Sequence, residues 1–243
     1  MKYFLLSLAL ILTTVATAYS QNATFSGRVT DQTTHLGIPN VAVAAVGNQS
    51  GTRVAITDAQ GNYALTVGPN NNVKIRAYRT NFIFDPFQVV FVSVGGPFPT
   101  TNPLDFTGAA LPFPILIFAQ EPILLTEDSS LKALAVDSVS FERDPFPLVN
   151  NNYPGNDKRT RVKLFVFDMD LFGGETLSIV TVQAIDQSQT SHSLPVEDLR
   201  KVPGSPWLSQ LTVRLPGDLM PGQLTVSVTA RGKTSNAATF RVQ

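Results

Sequence analysis

Cysteine is absent from this chain of 243 residues, so no disulfide can hold its fold. Histidine is scarce: with only two, the chain has few ligands for a zinc site, which normally takes several Cys or His side chains. Neither sign of charge predominates, because 18 Lys and Arg residues balance 18 Asp and Glu residues. This balance excludes a strongly basic nucleic-acid-binding protein and a highly charged disordered chain. The length and apolar content instead support about two globular domains.

Residues 1–18 have the features of a secretory signal peptide. Lys2 supplies a positive charge, the run from Phe4 to Ala18 is uncharged and mostly apolar, and Ala16-Thr17-Ala18 fits the small-x-small pattern of a cleavage site. The alternative is a membrane anchor, but the run is shorter than the roughly 20 residues of a spanning helix. We predict a secreted or extracytoplasmic protein (bacterial periplasm, cell surface or extracellular) with no transmembrane span after cleavage.

The rest of the chain has the periodicity of β-strands. Apolar residues alternate with small or polar ones in Phe25–Val29, Tyr63–Val67 and Val73–Ala77, which is the spacing of half-buried strands. Segments rich in Gly, Pro, Asn and Asp separate these runs and favour turns. No segment holds a helical apolar stripe over three turns. The pattern therefore predicts an all-β protein built from antiparallel β-sandwiches.

Three motifs occur in order in the first half of the chain: Gly27-x-Val29-x-Asp31, Gly37-Ile38-Pro39-Asn40-Val41-x-Val43 and Thr57-Asp58-x-x-Gly61-x-Tyr63-x-Leu65-x-Val67. Residues 23–108, which contain them, resemble the carboxypeptidase regulatory-like domain, a relative of the collagen-adhesin B-type and transthyretin-like modules. The resemblance implies a sandwich of the carbohydrate-binding-like class with no chemistry of its own. In the third motif we expect Asp58 to accept backbone hydrogen bonds and Gly61 to take a positive φ.

The last part of the chain resembles a second kind of sandwich domain. Leu-Pro-x-x-Leu-x-Pro-Gly at 215–222 leads into an alternating strand, and the polar segment 231–236 precedes a final strand. These residues resemble the closing hairpin of bacterial immunoglobulin-like domains of the TIG type. The resemblance implies a second, non-catalytic immunoglobulin-like β-sandwich over residues 124–243.

Residues 109–123, between the two predicted domains, form a proline-rich linker in this interpretation. Prolines at 112, 114 and 122 interrupt strand pairing and stiffen the chain. Ile115–Phe118 within the linker and Gln88–Val92 before it are apolar on both faces. Two explanations remain open: both segments are fully covered strands, or they share an interdomain contact.

Aromatic residues are the candidates for sugar binding, because sugar rings stack on exposed aromatic faces. We select Tyr78, Tyr153 and Trp207. Tyr78 points away from the inward set Val73–Ala77, so it should lie on the surface unless the second domain covers it. The alternative, structural packing, is favoured by the presence of a single Trp in the whole chain.

Charged residues give weaker candidates. Asp168 and Asp170 place two carboxylates on one side of an extended segment and could bind a hard cation, the alternative being an exposed acidic turn. The basic cluster Lys158-Arg159-Thr160-Arg161-x-Lys163 could attract an anion, the alternative being a solvated strand edge. His192 could belong to a Ser-His-Asp triad, but a solvated polar loop is the preferred interpretation.

These observations favour a secreted, non-enzymatic binding or adhesion module, with glycans or extracellular matrix or envelope proteins as partners and no nucleic acid. A structural spacer of the cell envelope is the main alternative, and a hydrolase with an unrecognised site is the weakest. We expect no cofactor and no catalytic residue, because Cys is absent and the two His lie far apart in polar segments.

Overall fold

The computed structural model describes residues 22–69, 72–92, 98–111, 120–128 and 130–243, and these residues fold into two β-sandwiches. The all-β prediction is confirmed. Within the described ranges the only helix is a single short 3-10 turn, Leu177–Ile179. The predicted signal peptide and Ile115–Phe118 lie outside the described residues.

The first sandwich contains nine strands, in chain order β1 Ala23–Asp31, β2 Ala42–Gly47, β3 Gly51–Ile56, β4 Asn62–Val67, β5 Asn72–Tyr78, β6 Phe82–Asp85, β7 Val89–Val92, β8 Thr101–Pro103 and β9 Phe106–Ala110. One sheet has the order β4-β1-β9-β6, with β8 also paired to β1, and the other has the order β3-β2-β5-β7. Strands β8 and β9 run parallel to β1, whereas the sequence predicted antiparallel pairing. The predicted inward set Val73–Ala77 alternates as expected, because Val73, Ile75 and Ala77 are buried between the two sheets.

The turn of the third sequence motif has the predicted geometry. Asp58 Oδ1 accepts hydrogen bonds from the backbone N–H groups of Gln60 and Asn62, at 2.9 and 2.8 Å. Gly61 has a φ of 82°, and a Cβ atom added there would lie 2.4 Å from the carbonyl oxygen of Val29. Tyr63 points inward and donates its hydroxyl to the carbonyl oxygen of Leu104 at 2.6 Å. The turn therefore needs glycine for both its conformation and its close approach to β1.

The second sandwich contains ten strands, in chain order β10 Ile123–Leu124, β11 Ala135–Asp137, β12 Arg161–Phe167, β13 Val180–Ile185, β14 Ser191–Leu194, β15 Val196–Val202, β16 Ser205–Arg214, β17 Gly222–Ala230, β18 Lys233–Thr234 and β19 Ala238–Val242. One sheet has the order β10-β12-β16-β15, with β11 also paired to β12, and the other has the order β14-β13-β17-β18, with β19 also paired to β17. The core between the sheets includes Phe146, Leu164, Leu211 and Phe240.

Strand β7 does not fit the first of the two explanations left open for Gln88–Val92, that the segment is covered on both faces. It pairs with β5 at one end of its sheet, and Val90 and Val92 are 47% and 60% exposed. The alternation of half-buried and exposed residues is that of an edge strand with one covered face. The continuous apolar sequence was therefore a misleading signal of full burial.

None of the helical segments in the described part of the chain is long and apolar enough to cross a membrane.

Candidate functional site

The two sandwiches pack against each other through the outer faces of one sheet each. On the first sandwich, Ala44 of β2 lies opposite Arg76 of β5, and Ala42 lies opposite Tyr78. These four residues point away from the core that Val43 and the other inward residues form. Ala42 and Ala44 are nevertheless fully buried, so the second sandwich covers this face.

On the second sandwich the covering surface is one half of β12. Val162, Leu164 and Val166 point into the core, so Arg161, Lys163, Phe165 and Phe167 point outward. Phe167 is 0% exposed because it packs on the first sandwich. The apolar contact, which we call the joint, is centred on Ala42, Ala44, Ile123, Leu125 and Phe167, and around them pack Val46, Val54, Tyr78, Leu134, Phe165, Trp207 and Leu208.

A buried ion pair crosses the joint. Arg76 Nη2 lies 3.4 Å from Asp168 Oδ2, and the two side chains are 2% and 14% exposed. Arg76 Nη1 also donates to the backbone oxygen of Glu121 at 3.0 Å, and its guanidinium lies 5.8 Å from the ring centre of Phe167. Burial raises the pKa of Asp168 to about 6, although the charges of Arg76 and Lys201 oppose this shift. Desolvation therefore outweighs the attraction of the pair.

Tyr78 connects the same two surfaces through its ring and its hydroxyl. Its ring meets that of Phe167 edge-on with centroids 5.8 Å apart, and its hydroxyl donates to Asp170 Oδ2 at 3.3 Å. Lys201 Nζ lies 2.8 Å from Asp170 Oδ1 and 5.4 Å from the Tyr78 ring centre. Burial raises the pKa of the Tyr78 hydroxyl, with Asp170 as the next cause. Of the two positions expected for Tyr78, exposed on the surface or covered by the second domain, the structure has the second.

A reciprocal pair of threonine hydrogen bonds closes the other side of the joint. The N–H of Thr52 donates to Thr126 Oγ1 and the N–H of Thr126 donates to Thr52 Oγ1, both at 2.8 Å. Next to them Gly51 has a φ of 73°, and a Cβ atom added there would lie 2.0 Å from the backbone oxygen of Ser130. The backbones of the two sandwiches approach each other here as closely as a glycine permits.

Trp207 also belongs to the joint. Its ring centroid lies 6.0 Å from that of Phe167, and the residue is half-buried against the joint's apolar centre. Tyr78, Trp207, Asp168 and Asp170 were selected from the sequence for two different functions, and the structure brings all four together. Their contacts are with each other and with neighbouring residues of the chain, which matches the packing alternative for the two aromatic residues.

The two aspartates are each paired with a different cation. Asp168 pairs with Arg76 and Asp170 pairs with Lys201, so each carboxylate already has a cationic partner. The alternative interpretation, an exposed acidic turn, does not hold for Asp168 because its side chain is only 14% exposed. In the described ranges no group of three or more His, Asp and Glu side chains could hold a metal ion.

The remaining aromatic candidate, Tyr153, lies in a different part of the second sandwich. The Arg161 guanidinium carbon is 4.2 Å from the centre of its ring, and Lys163 Nζ is 4.6 Å from the ring centre of Phe141. These residues surround the end of β12 that is opposite Phe167. We call this surface the distal patch, and define it as Phe141, Tyr153, Lys158, Arg159, Arg161 and Lys163.

The preferred interpretation of His192, a solvated polar loop, is wrong. The residue lies in β14 with a side chain 10% exposed, and its Nε2 is 3.0 Å from Asp186 Oδ2. The nearby Ser188 hydroxyl donates to Asp186 Oδ1 at 2.7 Å and not to the imidazole. A serine nucleophile would have to give its proton to the histidine, so this is not the arrangement of a catalytic triad.

Sequence reasoning missed Arg76, Thr52 and Thr126. In the sequence Arg76 occupies an outward strand position, where an Arg ordinarily faces solvent, and its place opposite Ala44 of β2 is known only from the structure. Thr52 and Thr126 are separated by 74 residues, and no sequence signal connects them.

No known protein family matches the chain, and no curated protein sequence matches it. Among solved structures, BcpA, the major pilin subunit of Bacillus cereus, aligns with 92% of this chain and 70% of its own at 8% identity and a TM-score of 0.29. The full-length major pilin SpaD from Corynebacterium diphtheriae aligns with 92% of this chain and 66% of its own at 4% identity and a TM-score of 0.30.

Domains 5-6 of the S-layer protein SbsC align with 92% of this chain and 89% of their own length at 13% identity and a TM-score of 0.23. At such identities and TM-scores the similarity concerns the tandem β-sandwich fold alone. The resemblances of residues 23–108 and 124–243 to named domain families stay predictions.

Proposed function

We propose that the chain is an exported, non-enzymatic surface module of bacteria in which the joint fixes two β-sandwiches into one rigid body. The single observation that supports it is the joint itself. Sandwiches on a flexible tether would keep polar outer faces, because each face would meet water. Here the faces carry Phe167, Ala42 and Ala44, all fully buried on each other.

A rigid arrangement of the two sandwiches suits a spacer, which holds a neighbouring domain or partner at a fixed distance from the cell or within its envelope. The joint combines an apolar centre with a buried ion pair and reciprocal backbone hydrogen bonds. Apolar contact supplies free energy, and the directed polar contacts fix one orientation. These features favour the spacer function over loosely linked binding domains.

Binding or adhesion is the second candidate function, and a different observation favours it. The distal patch leaves an aromatic ring in solvent, since Phe141 is 64% exposed, and the Lys163 ammonium lies over that ring. A rigid module with such a surface at the end of β12 farthest from the joint would present it to a partner. We therefore propose an adhesive spacer, with glycans as the preferred class of partner.

A hydrolase is the least supported function. The Ser188 hydroxyl donates to Asp186 and not to His192, and Asp168 and Asp170 are paired with cations. We expect no turnover in a screen of glycoside, peptide and ester substrates with and without added Ca²⁺ or Zn²⁺. Activity that disappears on mutation of Asp168, Asp170 or His192 would replace the surface-module proposal with an enzyme.

The rigid-body part of the proposal is testable with the one tryptophan of the chain, because Trp207 lies in the joint. Denaturant unfolding of the protein lacking residues 1–18 is followed by Trp207 fluorescence and by far-ultraviolet circular dichroism. We expect coincident transitions, since the joint and the sheets then unfold together. A fluorescence transition at clearly lower denaturant would show that the joint opens first and would contradict a rigid module.

The export part has a separate test. N-terminal sequencing of the protein recovered from outside the cytoplasm should begin at or near Tyr19. A sequence that still reads Met-Lys-Tyr would contradict cleavage of residues 1–18.

A further inference from the structure

We propose that the distal patch binds an acidic polysaccharide, with its cations pairing the carboxylates and its exposed aromatic ring stacking on a sugar ring. This inference rests on the proposed function, which supplies an exported surface module and a glycan partner. It adds the position of the site and the chemical class of the glycan.

The first observation is the repeated association of a ring and a cation. Lys163 lies over the Phe141 ring and Arg161 lies over the Tyr153 ring, at 4.6 and 4.2 Å from the ring centres. Arg161 and Lys163 are two residues apart on the same face of β12, so their Cα atoms are separated by roughly 7 Å. The Phe141 and Lys163 pair offers an exposed apolar ring beside a positive charge, and a uronic acid offers an apolar ring face beside a carboxylate. In the second pair the Arg161 side chain is only 8% exposed and is held by Asp157 and Glu197, so this pair supports the surface from below.

The second observation is the geometry of Phe141. Its φ is 60°, a conformation in which bulky residues are rare and which Gly or Asn adopts with less strain. The turn is held by Asp137, whose Oδ1 accepts hydrogen bonds from the N–H groups of Val139 and Ser140 at 2.8 and 2.9 Å. A phenyl ring is thus carried into solvent by an ordered turn that does not require one. An ordered turn loses little backbone freedom when a ligand stacks on its ring.

The third observation is local charge. The distal patch and the adjacent Arg214 contain five cations, and the carboxylates that contact them are Asp157 and Glu197, which leaves a net charge of +3. Residues 124–243 as a whole contain twelve Lys and Arg against thirteen Asp and Glu. Positive charge is therefore concentrated on this face, whereas the region is slightly negative overall.

The carboxylates of this surface pair with its arginines and not with its two lysines. Asp157 and Glu197 hold Arg161 and Arg214, and Asp157 also holds Arg159. Within the described ranges, neither Lys158 nor Lys163 has a carboxylate within ion-pair distance. The Lys158 ammonium donates to the backbone oxygen of Tyr153 at 2.7 Å, and this contact leaves its charge unneutralised. These two lysines are the groups that we expect to pair with carboxylates of the glycan.

Polygalacturonate is a suitable probe for direct titration of the protein lacking residues 1–18, because every sugar in it carries a carboxylate. Neutral dextran tests the need for charge, and poly-L-glutamate tests the need for a sugar ring. We expect binding of polygalacturonate, no binding of dextran, and binding of polyglutamate at least about tenfold weaker. Binding of polygalacturonate should be lost in about 1 M NaCl, where charges are screened beyond about 3 Å.

The test variant is Phe141→Asn with Lys163→Gln, which removes the exposed ring and one free cation. Asn tolerates the positive φ of position 141, so we expect the variant to fold. Its affinity for polygalacturonate should fall at least about tenfold, the loss expected for one charged hydrogen bond. The matched control is Leu36→Asn with Lys233→Gln, which changes an exposed apolar residue and an exposed lysine outside the distal patch and should bind as the unmodified protein does.

Three outcomes would overturn the inference: no binding of polygalacturonate by the unmodified protein, equal affinity of the unmodified protein and the test variant, or polyglutamate binding as tight as that of polygalacturonate. The last result would indicate an acidic protein surface as the partner. Each can occur while Trp207 fluorescence and circular dichroism still report a rigid joint. Failure of this inference is therefore distinguishable from failure of the proposed spacer function.

Discussion

The outward face of strand β12 consists of two unlike halves. Arg161 and Lys163 belong to the distal patch, whereas Phe165 and Phe167 pack in the joint. Both halves follow the same alternation in the same strand, and both contain aromatic side chains beside cations. The difference is what covers them: the first sandwich buries Phe167 completely, and the ring of Phe141 over Lys163 is 64% exposed. The same pairing of chemical groups thus holds the two sandwiches together at one end and faces solvent at the other.

The largest effect should follow from removing the central ring of the joint. Phe167→Ala leaves a cavity between the two sandwiches, and we expect a loss of roughly 3 to 5 kcal/mol in the free energy of unfolding. Phe141→Asn, the matched aromatic change in the distal patch, should stay within about 0.5 kcal/mol of the unmodified protein. Urea unfolding followed by circular dichroism measures both. Equal losses would show that the two halves of β12 do not differ as described.

The next effect concerns the buried ion pair. Arg76→Met leaves the Asp168 carboxylate buried without its nearest cation, and we expect a cost of about 3 kcal/mol. The double variant Arg76→Met with Asp168→Leu removes both charges and should recover most of that loss. As a control, Lys74→Met breaks the more exposed pair with Glu121 and should cost at most about 1 kcal/mol. A double variant as unstable as Arg76→Met would mean that the pair itself stabilises the joint.

A substitution within the first sandwich separates domain stability from joint stability. Gly61→Val places a β-branched residue at positive φ, which should cost roughly 1 to 3 kcal/mol, whereas Gln60→Val should be nearly neutral. Thermal melting of the two variants makes the comparison. Identical melting temperatures would show that the turn tolerates a side chain at position 61.

The smallest expected effect is on pH dependence. In the folded protein Asp168 keeps its proton up to about pH 6, whereas its ordinary pKa is 3.8, so folding takes up a proton between these values. The raised pKa therefore contributes stability that is present in acid and is lost as the pH rises through about 6, by at most about 1.4 kcal/mol per pH unit. The charged groups around it are Arg76, Lys201, Asp170 and Arg231.

Denaturant unfolding at pH 5, 6 and 7 should show this contribution as a difference between the unmodified protein and Asp168→Asn, which cannot titrate at this position. The unmodified protein should lose more stability over this range than the variant does. Parallel pH profiles would contradict a raised pKa at Asp168.

Much of the fold follows from local sequence. Alternation located the strands around Phe25, Tyr63 and Ile75, and the turn at Asp58 and Gly61 has the geometry that its residue types predict. These features depend on neighbours in the chain, which the sequence displays directly. Full covering, one of two explanations for Gln88–Val92, fails for Val90 and Val92, because apolar sequence alone does not reveal whether a strand lies at a sheet edge.

The site was harder to predict than the fold. Periodicity placed Tyr78 on the outer face correctly, but it does not show which distant segment covers that face. Asp168 follows β12 with a φ of 56°, so the extended geometry assumed for Asp168 and Asp170 does not hold there. Their cationic partners, Arg76 and Lys201, lie in β5 and β15, far away in sequence. A joint between domains depends on such long-range pairings, which one sequence does not specify.

The central claim, that the joint makes the two sandwiches one rigid body, is tested most directly by a distance measurement across it. Because the chain has no native cysteine, Thr66→Cys and Thr225→Cys, both at exposed strand positions, allow selective spin labelling of each sandwich. Double electron–electron resonance should give one narrow distance distribution, which broadens in the Phe167→Ala variant. A broad distribution in the protein with intact Phe167, unchanged by Phe167→Ala, would contradict the account.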